Sequence, residues 1–231
     1  MKSPQPDNIW VVIPALNAEE TLAQVIRGIR SVCGQIPIVV VNDASDDATE
    51  EVARRMDAAV VHHETNRGFG ASVKSGVRFA CEQNAQTFLI IGADNQRDPH
   101  DIHKLFAIFF EKKSDIVIGS KFLGEFQPMP FLRKTGNQIL TVVFNVLFNA
   151  RFTDITSGFR IFNKKVAEDL DGLHDRYPFD ADLCVRILRR GWRWEEVPVK
   201  VFYKPPSSRM KSVLLTGLAI LSVILRRRFF V

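Results

Sequence analysis

"FLIIGADNQRDP", residues 88–99, is the stretch on which the fold turns. Four apolar residues in a row, Phe88 to Ile91, suit an interior strand, and Gly92 to Pro99 supplies turn chemistry. Asp94, Gln96 and Asp98 then stand just past the strand's carboxyl end, where open α/β sheets bind their ligands. The same cadence repeats on both sides. Upstream, residues 9–13, 38–41 and 60–62 read as strands, and residues 19–32 and 71–84 as helices. The second strand ends in "NDASDD", where Asp46 or Asp47 can cap the helix that follows. Downstream come a helix over 101–112 and a strand over 116–118. Such alternation with short connections predicts an α/β fold, a mostly parallel sheet with helices on both faces. The right-handed crossover rule sets its hand.

After Gly119 the cadence changes. Residues 120–136 read as loop. Residues 137–149 read as a helix with one narrow polar stripe (Asn137, Thr141, Asn145, Asn149) and a very wide apolar face. A second apolar stretch, residues 213–225, precedes Arg226, Arg227 and Arg228. It measures about 20 Å as a helix, short of the roughly 30 Å hydrocarbon core of a bilayer. The reading is therefore one domain over 1–211 and a short, apolar, basic-ended helix over 212–231, suited to a membrane surface or to the core.

The composition is that of a globular protein, with a net charge of +5. The basic excess lies at the C-terminal end, where Arg186, Arg189, Arg190, Arg193, Lys200, Lys204, Arg209, Lys211 and Arg226 to Arg228 face only Glu195 and Glu196. That favours anionic partners. Nucleic acid is set aside because no aromatic platform or helix-turn-helix pattern accompanies the charge. Cys33, Cys81 and Cys184 are scattered, which argues for a reducing compartment and against a disulfide framework or zinc site. The N-terminus lacks a signal-peptide pattern. Gly68-Phe69-Gly70 follows the third strand and is followed by Val73, so it reads as a tight helix start and not a dinucleotide motif. His62, His63, His100 and His103 show no ligand spacing, and no Ser–His–Asp arrangement is expected.

Seven motifs occur in order: "VVIPALNAEE" (11–20), "VVVNDASDDAT" (39–49), "NRGFGASVKSG" (66–76), "GADNQRDP" (92–99), "VIGSKF" (117–122), "TDITSGFRIF" (153–162) and "FDADLCVRILRRGWRWEEVPV" (179–199). Together, over roughly residues 9–211, they resemble the family 2 glycosyltransferases of GT-A fold. Within these, the pattern is most like the polyprenyl-phosphate sugar transferases, such as the dolichyl-phosphate mannose synthases.

The resemblance implies a nucleotide-diphosphate sugar at the carboxyl ends of the first strands. Pro14, Asn17 and Glu19 fall on its first donor loop, with Leu16 for the usual Tyr and Ala18 for the usual Glu. Asp43 matches the acid that reads nucleobase or ribose, although Asn42 replaces the Asp before it; an Asx turn or cap is the plainer role. The family pattern Asp-x-Asp-x-Gln appears as Gly92-Ala93-Asp94-Asn95-Gln96. Ala93 and Asp94 would meet the donor, and Asp94 with the Gln96 carbonyl oxygen would ligate Mg²⁺ or Mn²⁺, with one acid fewer than usual. Lys121 matches an Arg, and Lys121, Arg133 and Asn137 would hold the acceptor phosphate. Lys204 and Arg209 match residues covering the pyrophosphate. Asp180 or Asp182 would be the general base for a hydroxyl acceptor; for an ionised phosphate none is needed, and Asp180 could cap the helix over 181–190. Arg160 could pair with Asp154 or serve the substrate.

The expected activity is an inverting, metal-dependent transfer of sugar to a polyprenyl phosphate. Asp94, Arg133 and, for a hydroxyl acceptor, Asp180 or Asp182 would be the catalytic residues. The alternatives are a saccharide-hydroxyl acceptor, or a nucleotide-sugar-binding protein impaired in catalysis. The expected location is cytoplasmic, peripheral at the inner face of the membrane, with a membrane-protein partner or a homo-oligomer left open.

Overall fold

The computed structural model describes residues 8–124, 129, 131–203 and 213–230. Lys204, Arg209 and the 211/212 boundary lie outside the described residues. The elements run β1 (Ile9–Ala15), α1 (Leu22–Cys33), β2 (Ile38–Asn42), α2 (Thr49–Arg55), β3 (Ala59–His62), α3 (Phe69–Glu82), β4 (Thr87–Ile90) and, after a 3₁₀ turn over Pro99–Asp101, α4 (Ile102–Glu111). The chain continues through β5 (Ile116–Ser120), α5 (Phe131–Phe148), β6 (Arg160–Asn163), α6 (Lys164–Ala167), α7 (Phe179–Arg190), β7 (Trp194–Pro198) and α8 (Val213–Phe229).

The seven strands form one sheet in the order β3-β2-β1-β4-β6-β5-β7. All neighbours are parallel except β6, which runs antiparallel between β4 and β5. Strand alternation divides the core. Val12, Val39, Val41, Phe88 and Ile90 face the side covered by α3, α5, α7 and α8. Val11, Ile13, Ile38, Val40 and Leu89 face the side covered by α1, α2 and α4. Phe88 stacks on Phe162 across the β4–β6 pair, with centroids 5.6 Å apart.

The order reverses between β1 and β4, and that switch point opens a crevice at the strands' carboxyl ends. Pro14 helps to open it. Val11 N–H donates toward β2, to Pro37 O, so alternation puts the missing N–H of Pro14 on the β4 side. There the ladder ends at Val12–Ile90. At α3, Gly68 takes φ 97° as the helix begins, and a Cβ at Gly70 would meet the His174 carbonyl oxygen at 2.2 Å. This is the tight helix start read from the sequence.

The departures from the sequence reading fall after β5, where the short helix α6 was also not expected. Helix α5 begins at Phe131, six residues before the expected 137, because prolines that read as loop also suit the residues leading into a helix. Strands β6 and β7 escape pattern reading, since β6 is four residues opening on Arg160 and β7 carries Glu195 and Glu196 at the sheet's edge.

Candidate active site

The loops after β1 and β2 are stapled to each other. Asn17 has φ 46°; its N–H donates to Ser45 Oγ at 2.9 Å, and its Oδ1 accepts from Asp46 N at 2.8 Å. Ala18 N donates to Thr49 Oγ1 at 2.6 Å, Glu19 N to Asp47 Oδ2 at 3.1 Å, and Ala48 N to Glu19 Oε2 at 3.0 Å. Asn17 and Glu19, expected on the donor, thus have part of their polar capacity committed to the loop itself. Pro14 is buried in β1 and serves by opening the strands.

Asp43 is a sharper correction. Its Oδ1 accepts from Arg67 N at 2.9 Å and lies 2.7 Å from His63 Nδ1, while Oδ2 accepts from Gly68 N at 2.8 Å. With Asp43 4 % exposed, its carboxylate holds the loop before α3 in place, so little of it remains to read a base. His63 Nε2 reaches Ser75 Oγ at 2.9 Å. A Ser75–His63–Asp43 string therefore exists, contrary to expectation. It was invisible because the three residues come from α3, the end of β3 and the end of β2. Asp43 also accepts two backbone N–H groups, so the string is built to fix a loop.

The turn after β4 stands at the strand's carboxyl end, where the sequence puts it. Asp94 is exposed; Oδ1 accepts from Gln96 N at 3.2 Å, and Oδ2 has no partner among the described residues. The Ala93 carbonyl accepts from Thr21 Oγ1 at 2.7 Å, tying the turn to α1. The main-chain oxygen of Gln96 accepts from Phe202 N at 2.8 Å, and Arg97 bridges to Val201. A Cβ on Gly92 would sit 3.5 Å from Asp94 Oδ1, so an acid there would lie against the first. No group of three or more His, Cys, Asp or Glu able to hold a metal occurs among the described residues. A single free carboxylate beside a polar turn still suits Mg²⁺ or Mn²⁺, which keep water and phosphate oxygens in their shell.

On the other side of the crevice, charges are paired in the interior. Lys121 Nζ donates to Asp154 Oδ1 and Oδ2 at 2.7 and 2.6 Å and to Thr156 Oγ1 at 3.0 Å. An ammonium has three N–H bonds, so Lys121 has none left for an acceptor phosphate. Burial opposes the Asp154 charge, but Lys121 and Thr156 overcome it and hold the carboxyl below its usual range. Arg160 pairs with Asp180 and not with Asp154. Burial lifts the Asp180 carboxyl against the pull of Arg160, and this pairing replaces the capping or base role expected for Asp180. Arg133 lies over the Tyr203 ring, 5.1 Å from its centroid, with Asn137 one turn along α5.

Asp182 faces elsewhere. Its Oδ1 accepts from Arg227 Nε at 2.7 Å, and its Oδ2 from Arg227 Nη2 at 2.9 Å and His174 N at 3.0 Å. It is a fastener between α7 and α8, its carboxylate committed to Arg227 and the His174 N–H in place of the base role expected for it. Sequence reasoning missed two residues at the site. Arg97, in the turn after β4, has Nη1 buried without a partner among the described residues. Glu196 is lifted by burial while accepting from Thr153 N and Asp154 N at 2.7 and 3.0 Å.

Three comparisons bear on this geometry. A family model described as glycosyl transferase family 2 matches residues 10–171. The UDP-N-acetylglucosamine–dolichyl-phosphate N-acetylglucosaminyltransferase of Methanococcus voltae is 25% identical, over 92% of this chain and 92% of the relative. The undecaprenyl-phosphate mannosyltransferase of Micrococcus luteus is 27% identical, over 93% and 92%. Among solved structures, glucosyl-3-phosphoglycerate synthase of Mycobacterium tuberculosis, in complex with Mn²⁺, uridine diphosphate and glucosyl-3-phosphoglycerate, superposes with a TM-score of 0.76. It covers 96% of this chain and 80% of that one at 17% identity, a likeness of fold.

Proposed function

The chain belongs to glycosyl transferase family 2, and from that premise we propose an inverting transfer of sugar from a nucleotide-diphosphate sugar to a polyprenyl phosphate. The observation that carries this reading is the charge pattern of the crevice. Arg97 stands on the turn after β4 and Arg133 lies over Tyr203, whereas Asp154, Asp180 and Asp182 are each held by a cation. A hydroxyl acceptor requires a free base near the reacting oxygen; an ionised phosphate requires cations and no base. The acceptors named for the Methanococcus and Micrococcus relatives agree with this preference.

In the proposed reaction a phosphate oxygen attacks the anomeric carbon from the face opposite the diphosphate. The bond from that carbon to the diphosphate oxygen breaks, and its electron pair leaves with the nucleoside diphosphate. The stapled loops after β1 and β2 hold the donor, and Arg133 neutralises and orients the acceptor phosphate. A divalent ion held by Asp94 and Gln96, of the kind bound in the mycobacterial synthase, would supply positive charge to the departing diphosphate. Labelled sugar from a donor panel should enter the organic phase only when polyprenyl phosphate is present. Label confined to water-soluble glycan would return the hydroxyl-acceptor reading.

Helices α5 and α8 support attachment at a membrane surface. The polar stripe of α5 points inward: Thr141 is buried, and Asn145 bonds both the N–H and the carbonyl of Phe152. Ile139, Val142 and Val146 point out, and so do Leu215, Leu218, Leu225 and Phe229 of α8, with Arg226 and Arg228 exposed at its end. No helix among the described residues is long and apolar enough to cross a membrane. An apolar face edged by arginines fits the interface of an anionic bilayer, each cation contributing about 1 kcal/mol there. The protein should float with anionic vesicles and not with zwitterionic ones; equal flotation with both would remove the electrostatic part.

A further inference from the structure

We propose that Arg97, carried on the metal turn, takes the phosphate-binding place that the motif pattern gives to residue 121, and that Arg97 and Arg133 together form the seat of the acceptor phosphate. The inference rests on the polyprenyl-phosphate reading and assigns that site a residue outside its motif pattern.

Four observations lead there. Lys121 is saturated by Asp154 and Thr156, so the matched position has no donor to offer. Arg97 has the opposite condition: Nη1 is buried with no acceptor among the described residues, as are Nε and Nη1 of the fully buried Arg160. Buried donors on a guanidinium are seldom left without an acceptor. The backbone fixes where Arg97 stands, through the bridge to Val201 and the Phe202 N–H on the Gln96 oxygen. It is three residues from Asp94, so a phosphate on it lies beside the metal turn. Finally, the Arg97 charge acts on Lys121, Asp154, Asp180 and Tyr203, and the ring of Tyr203 is the one that Arg133 covers.

The charge balance favours a phosphate monoester. Among the described residues, Lys121 cancels Asp154 and Arg160 cancels Asp180, so Arg97 and Arg133 stand outside those pairs, with Asp94 and Glu196 as the remaining acids of the site. A planar guanidinium offers two parallel N–H bonds to phosphate oxygens, which an ammonium at 121 could not. Exchanging the matched cation for one on the neighbouring turn keeps a positive seat and improves its geometry.

Calorimetry on the full chain separates the outcomes, with farnesyl phosphate, inorganic phosphate and uridine diphosphate as probes. Arg97→Ala should weaken farnesyl phosphate about ten- to a hundredfold, the loss of a hydrogen bond to a charged group, and leave uridine diphosphate within about twofold. Arg97→Lys, which keeps the charge and loses the fork, should recover only part. Unchanged farnesyl phosphate binding in both variants would overturn the inference while leaving the acceptor reading standing, as would equal weakening of both ligands. Arg97-dependent binding of phosphate without sugar transfer to any prenyl phosphate would keep the seat and remove the acceptor reading. Wild-type protein that binds neither farnesyl phosphate nor inorganic phosphate overturns both.

Discussion

The two sides of the crevice use their polar residues in opposite ways. On the side of β1 and β2, side chains bond to backbone N–H groups of the facing loop, as Asn17, Glu19, Ser45, Asp47 and Asp43 do. On the side of β5, β6 and α7, charged side chains bond to each other in the interior, as Lys121 with Asp154 and Arg160 with Asp180 do. The first arrangement shapes a wall without fixing its charge. The second fixes charge in pairs, and among the described residues Arg97 and Arg133 stand outside those pairs. Motif residues here are mostly scaffold, and the ligand-facing chemistry is what the scaffold leaves over.

The contrast can be broken most forcefully at Asp94, which belongs to neither side. Asp94→Ala should lower kcat/KM by at least about a hundredfold in a metal-supplemented assay. Because its side chain is exposed, the thermal midpoint should hold. Gly92→Asp, placed where a Cβ meets only Asp94 at 3.5 Å, should lower the metal concentration needed for half activity. Activity that survives chelation would detach the turn from the reaction.

Next come the paired charges. Asp154→Asn and Asp180→Asn each leave a buried cation uncompensated and should cost about 3–5 kcal/mol in urea unfolding. If Asp180 were instead the base, its amide variant would lose turnover with an unchanged midpoint. Arg227→Ala should cost less, about 2–3 kcal/mol, because Arg227 is 22% exposed and its loss lets water reach Asp182. A silent result would mean that α8 is held by Ile220 and Ile224 alone.

The smallest effect belongs to the loop side. Arg54, then Asn42 and His62, hold the Glu50 carboxyl down at about 2 from an ordinary 4.5. A depressed acid stabilises the fold above its unfolded value, and that contribution fades as pH falls from about 4.5 through about 2. Glu50→Gln should therefore be less stable than wild type at neutral pH, with the gap closing over that range. A gap that stays constant with pH would show that the charge of Glu50 does not matter to β2 and β3.

Much of this was legible beforehand. Strands β1 to β5 stand out as apolar runs ending in polar turns, and the Asp94 turn follows β4 as the sequence places it. What stayed hidden depends on long-range partners. Asp154 lies six residues from Arg160 and looked like its mate, but Lys121 and Asp180 arrive from other elements and exchange the partners. Arg97 is one more polar residue of the turn as far as the sequence goes, since nothing local says that its Nη1 is buried. The polar stripe of α5 was visible, but its inward direction was not, because amphipathicity fixes two faces without saying which one meets solvent.

The stapled loops also have a consequence in time. A wall held by bonds from Asn17, Ala18 and Glu19 to Ser45, Asp46, Asp47, Ala48 and Thr49 has little left to order when a ligand arrives. Ordering is what usually slows association and adds an entropic cost. A nucleotide entering beside β1 and β2 should then bind in one kinetic phase, its observed rate rising linearly with concentration and without a plateau. Loosening one staple, as in Ser45→Ala, should bring in curvature before it changes the equilibrium affinity much.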